Sequence, residues 1–241
     1  MSLAGKRILI TGGARRIGKM LALGVARAGG IVVIHHGHST IEGQILLEEI
    51  REYGQEAYLI QADLNDKEQT AEIITRACEN GPLYALVNNA AIFEQCTWDN
   101  TDRTVWQRHL DINLTAPFLL SQAFARQIPP GETGKIVNIL DWRATRPGAD
   151  HLPYTISKVG LAGLTRSLAV ALAPNIHVNG IALGAALPPS DGSDISRVID
   201  NVPAQRWAQL DEIINTLLFL LDGPAYITGE IIHLDGGRHL I

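Results

Sequence analysis

Short apolar runs alternate along the chain with longer segments in which apolar residues recur at helical spacing. The runs at 7–11, 31–35, 57–62, 84–88, 135–139, 177–181 and 230–233 predict strands. The segments 17–28, 41–53, 67–79, 103–127, 154–172 and 211–221 predict helices. Apolar strands separated by helices imply βαβ units and a parallel sheet covered on both faces. Right-handed crossovers then give a doubly wound, Rossmann-type α/β sandwich of about seven strands. The 241 residues suit one such domain, spanning 1–241. There is no internal repeat and no low-complexity segment. The stretch 185–203 carries three prolines and Gly192 and follows the carboxyl end of the sixth strand, where ligands bind in such sheets. It reads as a lid over the substrate, with a plain surface connection as the alternative.

Composition narrows the class. The net charge is −5 and no basic tract is present, so nucleic acid is not an expected partner. The cysteines, Cys78 and Cys96, lie too far apart in sequence to suggest a disulfide framework or a thiolate metal site. Lys6-Arg7 followed by a short apolar run is not a signal peptide, and no apolar stretch is long enough to span a bilayer. The expectation is a soluble cytoplasmic protein with no membrane partner.

The first strand runs into Thr11-Gly12-Gly13-Ala14-Arg15-Arg16-Ile17-Gly18 and then a helix. Glycines let a backbone turn tightly and approach a pyrophosphate seated on the free N–H groups of the helix. The turn stands at the first βα junction, where a dinucleotide site requires it. After the second strand comes Ile34-His35-His36-Gly37-His38-Ser39-Thr40, with no acid at the strand's end; Glu42 lies further on. An acid there would select a 2′-hydroxyl. Arg15, Arg16, His36, His38 and Ser39 are instead phosphate donors, which favours NADPH over NADH. Two other readings of the histidines remain: a metal site, which lacks an accompanying carboxylate or thiol, and solvated loop residues.

Tyr154 and Lys158 stand four apart in a predicted helix and so share a face. An ammonium beside a phenol favours the phenolate. Lowering a tyrosine by roughly two to three units from its usual value of about 10 requires about 3–4 kcal/mol of differential interaction. Asp141 stands 13 residues before Tyr154.

Taken in order, Thr11-Gly12…Gly18, Ala62-Asp63-Leu64, Asn88-Asn89-Ala90, Asn113 and Tyr154-x-x-x-Lys158 resemble the short-chain dehydrogenase/reductase family over nearly the whole length. The resemblance implies that Asp63 and Leu64 flank the adenine. It also implies that Gly12, Ile17, Gly18, Asn89, Ala90, Ala91 and Gly184 lie along the cofactor, and that Asn113 supports the Lys158 region. Three positions narrow the match: Arg16 where most members carry glycine, Asp141 where most carry serine, and Phe93 after Asn88-Asn89-Ala90-Ala91-Ile92. The set, with the ending Leu234-Asp235-Gly236-Gly237-Arg238-His239-Leu240, resembles pteridine reductases and bacterial dihydromonapterin reductases. That subgroup implies NADPH held by Arg16 and the residues after strand two. It implies a pterin stacked on Phe93, Asp141 sharing proton delivery with Tyr154 and Lys158, a homotetramer, and Arg238 approaching a neighbour's substrate.

The acid has a chemical meaning of its own. A ketone reductase gains from two donors at the developing alkoxide, whereas an ionised carboxylate only accepts. A pterin is flat, presents N–H donors and takes hydride at a C=N bond. A carboxylate there can accept from the ring or relay a proton through Tyr154, and Phe93 gives the ring a stacking face. The alternatives are that Asp141 caps a helix or pairs with Arg143 or Arg146, and that Phe93 packs in the core. The expected activity is NADPH-dependent reduction of a dihydropterin such as dihydromonapterin, dihydrobiopterin or dihydrofolate. Its rivals are an NADP(H) carbonyl or alcohol oxidoreductase and a non-catalytic NADP(H) sensor on the same scaffold.

Overall fold

A computed structural model describes residues 2–187 and 198–241. The strands are β1 (Arg7–Ile10), β2 (Ile31–His36), β3 (Ala57–Gln61), β4 (Ala85–Asn88), β5 (Gly134–Asp141), β6 (Ile176–Leu183) and β7 (Ile231–Leu234). They form one sheet in the order β3-β2-β1-β4-β5-β6-β7, and all neighbours are parallel. The helices are α1 (Arg16–Arg27), α2 (Thr40–Glu52), α3 (Lys67–Ala77), α4 (Arg103–Leu110), α5 (Ala116–Gln127), α6 (Leu152–Leu172) and α7 (Leu210–Asp222). Chain direction across the sheet reverses between β1 and β4, and this switch point opens a crevice at the strands' carboxyl ends.

Alternation along each strand divides the core into two layers. Ile8, Ile10, Val32, Ile34 and Val87 pack against Leu21 and Val25 of α1, Leu46 and Ile50 of α2, and Leu217 of α7. Leu9, Val33, Leu86, Ile136 and Val178 face the other way, toward Ile73 of α3 and Leu120 and Phe124 of α5. A buried polar relay crosses the middle of the second layer. Asn88 Nδ2 donates to Asn138 Oδ1 at 2.8 Å, and Asn138 Nδ2 donates to Thr165 Oγ1 at 2.9 Å. It ties β4 to β5 and β5 to α6.

The expected helix 103–127 is divided. A π-helical turn, Asp111–Thr115, separates α4 from α5. Pro117 has no N–H to offer the carbonyl of Asn113, so a regular i→i−4 ladder cannot run through this point. β5 and β6 run two residues further than the apolar pattern suggested. They pair up to Asp141↔Leu183, with Leu140, Ala182 and Leu183 buried, so the ladder carries Asp141 to the sheet's carboxyl end. Most of the expected lid, 188–197, lies outside the described residues.

Candidate active site

The glycine turn occupies the switch point. Gly12 has φ +60°, and a Cβ there would meet Ala90 Cα at 2.9 Å. A Cβ on Gly18 would fall 2.0 Å from the Gly12 carbonyl oxygen. α1 starts with no side-chain cap and no acid in its first turn, which leaves its N–H groups and positive end for an anion. Thr11 Oγ1 accepts from the N–H groups of Asn89 and Ala90, both at 3.0 Å. Asn89 Nδ2 returns bonds to the carbonyls of Thr11 (2.9 Å) and Gly12 (3.2 Å). The β1 and β4 turns are therefore locked together beside the uncapped head of α1. Arg16, at the head of α1, has φ +52°, the conformation that favours glycine.

His35 plays a part that the sequence reading missed. Its Nδ1 accepts from Gly12 N–H at 3.2 Å, its Nε2 faces the Ala62 carbonyl at 3.0 Å, and its own carbonyl accepts from Gly13 N–H at 2.8 Å. These partners assign one neutral tautomer, with the proton on Nε2. Burial brings its pKa down to about 4. The available signal was a histidine inside an otherwise apolar strand. His36, expected at the cofactor, is buried beside Gly43 of α2, and its Nδ1 has no partner. His38 is exposed in the following loop and Ser39 stands at the N-cap of α2. Arg15 pairs with Glu42 at 3.5 Å, so that acid comes closer to the turn than its place in the sequence implied. Asp63 follows β3, where its carboxylate accepts from Asn65 N–H at 2.9 Å, and Leu64 is buried beside it.

The carboxyl end of β5 and the first turns of α6 bring the reactive groups together. Tyr154 Oη donates to Asp141 Oδ2 at 3.0 Å. Asp141 Oδ1 accepts from Arg143 N–H at 2.9 Å, so the same carboxylate also caps the short turn Trp142–Ala144. Lys158 Nζ donates to the Ile139 carbonyl at 2.7 Å and lies 5.7 Å from the centre of the Tyr154 ring. Asn113 does not touch Lys158 directly. It closes a two-bond clasp on the Ile92 backbone (2.9 and 3.0 Å) and donates to Ser157 Oγ at 3.0 Å. Ser157 in turn donates to the Tyr154 carbonyl at 2.6 Å. One cleft of about 190 Å³ joins Arg16, Asn89, Asp141, Tyr154, Lys158 and Gly184.

Phe93 is not in the core; it is 55% exposed at the cleft edge. Its ring stacks on His151, with centroids 3.9 Å apart and an interplanar angle of 8°, and meets Tyr154 edge-on at 4.6 Å and 81°. His151, one turn before Tyr154, was not anticipated. It bonds Asp150, which pairs with Arg143 at 2.7 Å. Arg238 stands over Trp142 of its own chain, 4.3 Å from the ring centre.

The electrostatics correct one expectation. Tyr154 is raised well above its ordinary range, chiefly by burial and then by the charge of Asp141. The lysine does not reverse this, because its ammonium is directed at the Ile139 carbonyl and lies 5.7 Å from the ring centre while a carboxylate sits directly on the phenol. Burial raises Asp141 above the usual carboxylate range and takes Lys158 down to about 8. Burial therefore makes this carboxyl harder to ionise than an exposed one.

A family model described as short chain dehydrogenase matches residues 6–196. A 3-oxoacyl-[acyl-carrier-protein] reductase of Synechocystis is 30% identical over 241 residues, covering 98% of both chains. A 5-keto-D-gluconate 5-reductase of Escherichia coli is 31% identical, covering 98% of this chain and 96% of that one. The crystal structure of FolM alternative dihydrofolate reductase 1 from Brucella canis, complexed with NADP, superimposes with a TM-score of 0.92 at 37% identity, covering 100% of this chain and 97% of that one. The family model spans most of the chain, and relatives 30% or more identical are matched over nearly their whole length: the chain belongs to the short-chain dehydrogenase family.

Proposed function

We propose that the protein is an NADPH-dependent reductase acting on the C=N bond of a dihydropterin. The observation that carries this reading is the 3.0 Å bond from Tyr154 to Asp141 beside the exposed Phe93 ring. The cofactor fits the residues present: the turn is packed so closely at Gly12 and Gly18 that only glycine allows it, and the head of α1 is uncapped. NADPH, when bound, supplies the hydride. Gly12, Ile17 and Gly18 would hold its diphosphate, Asn89 and Ala90 would lie along it, and Arg16 with His38 and Ser39 would answer the 2′-phosphate. Lys158 keeps two ammonium donors free of the Ile139 carbonyl and positions a ribose hydroxyl. Phe93 orients the flat ring by stacking. Asp141 and Tyr154, joined by their hydrogen bond, handle the proton that reaches ring nitrogen. The homotetramer implied by the subgroup resemblance belongs to the same proposal.

The Brucella canis protein named as an alternative dihydrofolate reductase supports this reading. The keto-acid and oxoacyl reductases among the relatives support a second, in which a carbonyl is reduced and Asp141 serves only as the cap seen at Arg143. NADPH oxidation measured against a panel of dihydropterins, quinones and ketones separates the two. Turnover confined to ketones overturns the pterin reading, as does an Asp141→Ser variant with undiminished dihydropterin turnover.

A further inference from the structure

An acid stands among the cations between the glycine turn and the loop after β2. Glu42 lies in the first turn of α2. Its Oε1 is 3.5 Å from Nε of Arg15, the residue before α1, so this carboxylate spans the gap between the two segments. The contact uses Nε, and the terminal amines of Arg15 have no partner among the described residues. Both side chains are about half exposed, so the pair is weak and Arg15 can exchange Glu42 for another anion. Burial lowers His36, at the end of β2, and the charge of Glu42 acts against that shift, so the acid is felt on both sides of the gap. Asp63, the acid after β3, is turned into its own loop, where it accepts from Asn65 N–H. A second ion pair, Lys19 to Glu49 at 2.8 Å, also joins α1 to α2, but Glu49 stands two helical turns beyond Glu42, away from the carboxyl ends of the strands.

We propose that Glu42 is a specificity-determining residue that limits the preference for NADPH over NADH. The 2′ substituent of the adenosine ribose enters beside the end of the second strand in such sheets. A 2′-phosphate there draws the terminal amines of Arg15, but it must compete with Glu42 for that arginine and meets a like charge across the same gap. A 2′-hydroxyl meets no repulsion and can donate to the carboxylate. Glu42 thus weakens the phosphorylated cofactor and tolerates the other. This role concerns the cofactor alone and is independent of which substrate the enzyme reduces.

The measurement is the ratio of dissociation constants, NADH to NADPH, read from nicotinamide fluorescence on the full chain without any substrate. Glu42→Gln raises this ratio on the order of fivefold, through tighter NADPH rather than weaker NADH. Glu42→Ala does the same, which ties the gain to the lost charge rather than to a new amide contact. The gain shrinks to less than about twofold at about 1 M salt, where charges facing solvent are screened. Glu49→Gln removes the same charge two turns away and leaves the ratio within about twofold of the parent. A ratio that is unchanged or lower in Glu42 variants that melt with the parent overturns the assignment. So does a gain that Glu49→Gln reproduces, or one that high salt leaves intact.

Discussion

Tyr154 gives its phenolic hydrogen to Oδ2 of Asp141 across 3.0 Å, so the proton-handling partner of this tyrosine is a carboxyl rather than the lysine one helical turn away. Because burial raises Asp141, the sign of its effect on stability follows. A folded pKa above the unfolded value contributes stability below about pH 4, and that contribution is lost as pH rises through the folded value. At pH 7 the ionised form is a cost. Asp141→Asn therefore melts no lower than the parent at pH 7, while dihydropterin turnover falls on the order of 10²- to 10⁴-fold. Thermal melts and steady-state rates on one preparation check both halves; a marked loss of stability with retained turnover contradicts them.

Phe93 is more than half exposed, so removing its ring barely disturbs the core. Phe93→Ala raises KM for a dihydropterin by roughly fivefold to tenfold, the scale of one lost aromatic stack. KM for a small ketone stays within about twofold. Equal changes for both substrates identify the ring as a structural neighbour of Tyr154 only.

His35 makes the protein acid-sensitive in a defined window. Its folded pKa is about 4, against an ordinary 6.5, so its contribution is complete above pH 6.5 and is lost as pH falls toward 4. That displacement is worth about 3 kcal/mol. Protonation at Nδ1 also turns away the Gly12 N–H, so NADPH affinity declines over the same interval. In His35→Gln the urea midpoint varies less between pH 7 and pH 4.5 than in the parent, and NADPH binds more weakly at pH 7. An unchanged pH slope places the acid sensitivity elsewhere.

Lys158 sets the alkaline limit. Its charge is lost as pH rises through about 8, and kcat/KM for NADPH falls on that limb. Stability moves the other way: the depressed pKa contributes stability above about 10.5 that is lost as pH falls through 8. Lys158→Arg keeps the charge to far higher pH and removes the limb, at a reduced rate. A limb that persists near 8 in this variant belongs to another group.

The sheet and its helices were legible because apolar runs of strand length and helical periodicity are direct signatures of burial on two faces. Tyr154, Lys158, Asp141 and the glycine turn were legible because their chemistry is local in sequence. His35 was not, since its partners Gly12 and Ala62 arrive from two other strands. The His151–Phe93 stack joins residues 58 apart and leaves no periodic trace. The phenol's pKa was misjudged for a related reason: four-residue spacing shows that Lys158 can reach Tyr154, but not that a carbonyl claims the ammonium first.

The relay Asn88–Asn138–Thr165 has an evolutionary consequence. Each amide serves two neighbours, and Asn88 Oδ1 is already without a partner, so no further loss is absorbed locally. Changing one member to an apolar residue strands another in a dry interior, at a cost of about 1–3 kcal/mol. Drift at these positions must therefore proceed by paired replacement, which makes Asn138 and Thr165 expected partners in covariation, although neither touches the cleft.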